Sequence, residues 1–280
     1  MPPVDRLTPL LQRFRVQTQL FHAGPLCGVT DFSAETGRGF LHILRRGAMV
    51  LVVGGERITV TQPSIVFLPR PANHSFLNAP IDGPDFACAT LDFDGGVTHP
   101  LVTTLPAVVV VPLDEIPTLA PALELLFAEV DNVQCGRPIL ADRMFEVVLI
   151  QLLRWMLDHA ADLALAPGLV PGLSDGRLAP ALVAMHERPG EPWTLEVMAR
   201  TANLSRSAFA ARFKDVVGRT PADYLTEWRL TIAQQQLREG ASVGTVAAEL
   251  GYASASAFSR AFAQRLGRSP RAWLAPVALS

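Results

Sequence analysis

AAELGYASASAFSRAFAQRLGRSPRAW, running from Ala247 to Trp273, reads as a helix, a tight turn and a second helix. Ser242 stands just before it as an N-cap, Gly251 is the turn residue, and Ser254 caps the second helix. Phe258, Phe262 and Leu266 recur at helical spacing and form the buried stripe. Ala255, Ser256, Ser259, Arg260 and Ala263 are left on the outward face.

The same pattern occurs once more upstream. Slid by 49 positions without a gap, Val197 falls on Val246, Ala202 on Gly251, Ser205 on Ser254 and Phe209 on Phe258. Phe213 then meets Phe262, Gly218 meets Gly267, and Pro221 meets Pro270. One supersecondary unit is therefore used twice. In the upstream copy Thr194 is the first cap, Asn203–Leu204–Ser205 the turn, and Phe209 and Phe213 the buried pair. Arg206, Ser207, Ala210, Ala211 and Lys214 face outward, with Ser205 capping their helix. A long helix from Pro221 to Leu237 joins the two units. Solenoids stack three or more repeats, and a protein-binding face would expose Leu, Met or aromatic residues. Small Ser and Ala side chains with isolated arginines suit a DNA groove instead.

These residues carry a resemblance. The segment from Trp193 to Trp273 resembles the AraC/XylS class of bacterial transcription regulators, and Ala247 to Trp273 matches the signature of that class nearly throughout. The resemblance implies an all-α DNA-binding domain over residues 177–280, with two helix-turn-helix motifs. It also implies promoter DNA and RNA polymerase as partners. Candidate DNA contacts are Ser205, Arg206, Ser207, Ala210, Ala211 and Lys214 in the first unit, and Ser254, Ser256, Ser259 and Arg260 in the second.

Charge distribution agrees. The net charge of −2 is made of unequal halves: residues 176–280 hold 13 basic and 8 acidic side chains, residues 1–175 hold 11 and 18. A basic module beside an acidic one fits a polyanion-binding part. The 280 residues suffice for two domains, and no apolar run is long enough to cross a bilayer. The N-terminus has no secretory pattern and the three cysteines are odd in number, so a cytoplasmic protein without a disulfide framework is expected.

Upstream, Asp5 to Phe14 reads as a short amphipathic helix, with Thr8–Pro9 as its cap and first position. From Val16 to Val111 short β-branched runs alternate with turn residues. Met49–Val53 and Arg57–Val60 form a hairpin on Gly54–Gly55, and Ile65–Leu68 and Cys88–Phe93 are further strands. Such spacing suggests a small barrel or sandwich. The strings FHAGPLCG, GFLHILRRGAMVLVVGGERITV and FLPRPANHSFLN make residues 21–91 similar to the cupin-type sensor domains found in one branch of the AraC class. His74 and Asn78 keep the spacing of the second cupin motif, whereas only His42 stands where the first motif has paired histidines and a glutamate.

The expected fold is thus α+β in two domains. A cupin-like barrel spans 1–112, a helical region 113–165, a Pro/Gly-rich linker 166–176, and the DNA-binding domain 177–280. The helices of 113–165 carry two readings, a homodimer contact implied by the resemblance or packing on their own barrel. Cys27, His42, His74 and Cys88 are the sensor candidates. If the barrel points both histidines inward, they and the thiols suit zinc or copper, or the thiols an oxidant; a small organic effector is the other option. Against these stands the plain reading of buried Cys as a small hydrophobe and buried His as a hydrogen-bonded core residue. Gly240 to Gly244 matches a nucleophile-elbow pattern around Ser242, but a helix precedes it where that motif needs a strand. A non-catalytic regulator, switched by a signal in the barrel, is therefore expected; the alternative is a cupin-type metal enzyme with a DNA-binding appendage.

Overall fold

A computed structural model describes residues 4–79, 81–132, 134–163 and 165–275. No described helix is long and apolar enough to cross a membrane. The chain divides into two compact units: residues 14–165, and residues 1–13 together with 166–280.

Helix α1 (Thr8–Arg13) opens the chain and belongs to the second unit. Asp5, not Thr8, caps it: Asp5 Oδ1 accepts from the backbone amides of Leu7 and Thr8 at 3.1 and 3.0 Å. Residues 1–13, expected to open the barrel domain, fall in this second unit. Leu10 of α1 is buried, and Gln235 donates from Nε2 to the Arg13 carbonyl at 3.1 Å.

The first unit is built on β1 (Val16–Pro25), β2 (Val29–Phe32), β3 (Gly39–Arg46), β4 (Met49–Val53), β5 (Glu56–Val60), β6 (Ser64–Leu68), β7 (His74–Leu77), β8 (Asp85–Phe93) and β9 (Val109–Pro112). They form two antiparallel sheets, β1-β8-β3-β6-β9 and β2-β7-β4-β5. The first sheet is covered on both sides, so β3 is buried on both faces from Gly39 to Leu44 and shows no polar alternation. Phe40, Leu44, Leu51, Phe76, Phe86 and Cys88 belong to the core. Helix α2 (Pro100–Thr104) follows β8, with His99 as its N-cap.

Helices α3 (Ala120–Asp131) and α4 (Arg137–Asp158) complete this unit. They pack on each other, and α4 packs on β1. Asp142 of α4 accepts the Leu20 amide at 2.7 Å on Oδ1, and its carbonyl accepts the Thr18 hydroxyl. Packing on their own barrel is thus realised for these helices. Leu140 and Val147 of α4 and Leu125 of α3 stay exposed.

In the second unit, residues expected to be a linker contain α5 (Leu169–Ser174), with Leu169, Val170 and Leu173 buried. A Cβ at Gly172 would stand 2.8 Å from Leu182 Cδ1 and 3.0 Å from Val217, so the glycine that reads as a breaker permits close helix packing. Then come α6 (Ala179–Glu187), α7 (Leu195–Thr201), α8 (Arg206–Val217), α9 (Pro221–Arg238), α10 (Val243–Glu249), α11 (Ala255–Leu266) and α12 (Pro270–Leu274).

The gapless 49-residue register needs correction. Helices α8 and α11 do correspond at 49, but α7 and α10 correspond at 48. Buried Met198 and Ala199 match buried Val246 and Ala247, whereas Val197, which the 49-residue register sets on Val246, is exposed at 36%. The left-handed turn residues are Asn203 (φ 53°) and Gly251 (φ 75°), again 48 apart. Equivalent bonds close both turns, from the Leu204 amide to the Ala199 carbonyl and from Tyr252 to Ala247, each 2.9 Å. The downstream turn is one residue longer, and the extra residue is Ala253. Leu266 is only partly buried, leaving Phe258 and Phe262 as the α11 stripe.

Candidate nucleic-acid interface and sensor core

Both candidate reading helices begin with the same device. Ser205 Oγ accepts from the Ala208 amide at 3.3 Å, and Ser254 Oγ accepts from the Ala257 amide at 3.1 Å. Each helix ends on a left-handed glycine, Gly218 (φ 79°) or Gly267 (φ 76°). Phe209 and Phe213, and likewise Phe258 and Phe262, are fully buried. This fixes the rotation of each helix, so Arg206, Ser207, Ala211 and Lys214 on α8, with Ser256 and Arg260 on α11, are exposed. Ala210 and Ser259 are partly exposed beside them.

The arginines of these helices fall into two groups. Arg212 binds Asp175, through Nε at 2.7 Å. Arg265 binds Asp223. The side chains of Arg206, Lys214 and Arg260 make no ion pair or hydrogen bond among the described residues. Their charged side chains are exposed.

The joining helix is held by buried chemistry. His186 Nε2 lies 2.6 Å from the Tyr224 hydroxyl, and its ring stacks on Trp228 with centroids 3.9 Å apart. Burial lowers the His186 pKa to about 3 and raises that of Tyr224, so both are neutral.

In the first unit, two of the four sensor candidates meet. His42 on β3 and His74 on β7 face each other across the two sheets with their Nε2 atoms 2.9 Å apart. His74 Nδ1 lies 2.9 Å from the Ala72 carbonyl and so carries the proton. His74 Nε2 is then the acceptor, His42 Nε2 the donor, and His42 Nδ1 a buried acceptor without a partner among the described residues. Burial, with His74 and His22 nearby, holds the His42 pKa well below its usual value. Burial also lowers His74, partly offset by the Ala72 carbonyl. Phenylalanines enclose the pair: Phe32 stacks on His74 at 4.7 Å, while Phe40 stacks on His42 at 5.7 Å and Phe76 meets it edge-on at 4.8 Å. These phenylalanines escaped the sequence reading, although Phe40-x-His42 and His74-x-Phe76 carry the period-two spacing that puts each pair on one strand face. A cavity of about 770 Å³ opens beside them, lined by Phe32, Val53, Ala72, His74 and Ser75 among others.

The cysteines are not brought together. Cys88 pairs in register with His42 and is fully buried, and burial pushes its thiol pKa well up. Cys27 is exposed, beyond the pairing of Pro25 with Asp85. Cys88 lies three residues, about 10 Å, along β8 in the opposite direction. That exceeds the roughly 7 Å between Cα atoms that a disulfide allows. Nor do the residues fit zinc or copper held by three or four ligands: among the described residues no group of three His, Cys, Asp or Glu side chains could hold a metal ion.

Residues 5–158 match the Cupin family and residues 198–275 match the Helix-turn-helix domain family. The chain is 33% identical to an AraC-like transcription regulator of Streptomyces antibioticus, with 96% of each covered. It is 30% identical to the RCS-specific HTH-type transcriptional activator RclR of Escherichia coli K12, over 86% of this chain and 87% of that one. With a cupin-type sensor unit and a doubled helix-turn-helix unit, the chain belongs to the AraC family of DNA-binding transcription regulators.

Proposed function

We propose that α8 and α11 are the reading helices, entering the major groove of promoter DNA in the cytoplasm, and that the His42–His74 core is where the signal is received. In this reading the protein acts by occupying DNA and engaging RNA polymerase, not by catalysis. The observation that carries the DNA reading is the division among the arginines: Arg260 is exposed and unpaired on α11 while Arg265 of the same helix is tied to Asp223. A guanidinium free of acid partners can form the bidentate pair with guanine. Arg206, beside the Ser205 cap, suits a phosphate contact. Arg260→Ala should cost about 1–3 kcal/mol on the cognate duplex and relax preference at one base pair. Equal loss on random DNA would assign Arg260 to the backbone instead.

For the signal, an organic effector is favoured by the cavity beside His74. Such an effector would be largely apolar, to suit Phe32, Val52 and Val53, with His74 as a polar contact. An oxidant is a second reading, favoured by the exposed, unpaired thiol of Cys27. Promoter output of Cys27→Ser and Cys88→Ser, with and without oxidant, separates the two. A homodimer would use the exposed Leu140 and Val147 of α4.

A further inference from the structure

The two helix-turn-helix units are joined by more than α9. Near its start, α9 presents Asp223 and Glu227 one turn apart, both about 40% exposed. Arg265 from the end of α11 pairs with Asp223 through Nη2 and lies 3.9 Å from Glu227 through Nη1. Arg219, in the loop leaving α8, pairs with the other oxygen of Glu227. Four side chains thus connect the exit of the first reading helix, the root of the joining helix and the last turn of the second reading helix. Thr220 and Arg265 hold Asp223 ionised by lowering its pKa.

This cluster is not inherited from the repeated unit. In the 49-residue register that relates α8 to α11, Arg265 corresponds to Val216 and Asp223 to Ala272. Glu227 likewise corresponds to Pro276, and only Arg219 has a like counterpart, Arg268. Both acids and Arg265 are therefore particular to the junction between the copies. The placement of Arg265 on α11 is equally specific. At 100° per residue, Arg265 lies about 160–180° from Ser256 and Ala263, and about 140° from Arg260, so it does not share their outward face. A charge there would contribute little to base reading, but it can set the angle at which that face is presented.

We propose that the Arg265–Asp223–Glu227–Arg219 cluster is a positioning clasp that sets the separation of the two reading helices, and with it the spacing between the two short DNA boxes the protein prefers. The proposal rests on both helices reading DNA. It predicts a property that a stability role would not produce. Loss of the clasp should flatten the dependence of affinity on box spacing, rather than weaken all duplexes alike.

The test uses the full chain and a duplex enriched by it from a random pool, remade with one base pair added or removed between the boxes. The parent, Arg265→Gln, Asp223→Asn/Glu227→Gln and Arg265→Lys are compared by fluorescence anisotropy, with melting curves confirming that each is folded. Removing the arginine lowers, and removing the acids raises, general attraction to DNA; both changes cancel in the ratio between spacings. That ratio should fall about threefold in Arg265→Gln and in the double variant, a size set by exposed ion pairs, and recover in Arg265→Lys. An unchanged ratio in both variants overturns the clasp and leaves the two-helix reading intact. Enrichment of a single box only would overturn the clasp together with that reading.

Discussion

The Nε2 atoms of His42 and His74 lie 2.9 Å apart between two facing sheets, each imidazole flanked by phenylalanine rings. Neither can accept a second proton without placing charge in an apolar interior. Their pKa values are lowered, and those of His99 and His186 fall to about 4 and about 3. The unfolded chain, with ordinary imidazoles, binds more protons than the folded one below about pH 6.5. Stability should be flat above that pH and fall by about 1.4 kcal/mol per unit and per imidazole below it, until each folded-state pKa is reached. Melting curves at pH 7.5 and 5.5 check this; equal or higher stability at pH 5.5 would contradict it.

The two turns should respond oppositely to substitution. A Cβ at Gly251 would stand 2.1 Å from the Gly190 carbonyl oxygen, and the backbone there is left-handed. Gly251→Ala should destabilise the second unit by more than about 1 kcal/mol. Asn203→Gly, at a similar backbone angle, should change stability by less than about 0.5 kcal/mol or increase it. Chemical denaturation of each variant decides, and equal costs would show that the turns are not built as described.

Removing the Tyr224 hydroxyl isolates a buried polar pair. Tyr224→Phe leaves His186 Nε2, now bonded at 2.6 Å, without its partner inside the helical core. The expected cost is about 1–3 kcal/mol, with the spacing preference on DNA unchanged. A neutral result would mean that water replaces the hydroxyl.

Much of the DNA-reading unit was legible because its signals are local. Ser205, Ser254, Gly218 and Gly267 are caps that act within one turn, and Phe209/Phe213 and Phe258/Phe262 declare their own face. The 48-residue offset of α7 and α10 was hidden because valine and alanine occur at both candidate registers, and only burial distinguishes Val197 from Met198. Helix α5 was hidden by Pro171 and Gly172, which read as breakers until the packing on Leu182 is seen. In the sensor unit the cupin resemblance allowed for His42 and His74 pointing inward, and their Nε2 atoms meet between the sheets. The separation of Cys27 from Cys88 was not legible, because it depends on the β1–β8 register, a long-range pairing that residue spacing does not encode.

The thiols should differ accordingly. In the native protein Cys27 and Cys135 are exposed and Cys88 is buried, so a thiol reagent should titrate two groups rapidly and the third only on denaturation. Rapid reaction of all three would show that the barrel opens at Cys88.

The central claim is that α8 and α11 read one face of the duplex together, about 34 Å or one helical turn apart. It is tested most directly by inserting about five base pairs, half a turn, between the two boxes of the enriched duplex and measuring affinity by anisotropy. Two helices held together by α9 cannot then reach both boxes, and binding should fall to the level of a duplex carrying one box. Affinity unchanged by the insertion would mean that a single helix-turn-helix unit reads the DNA, contradicting the claim.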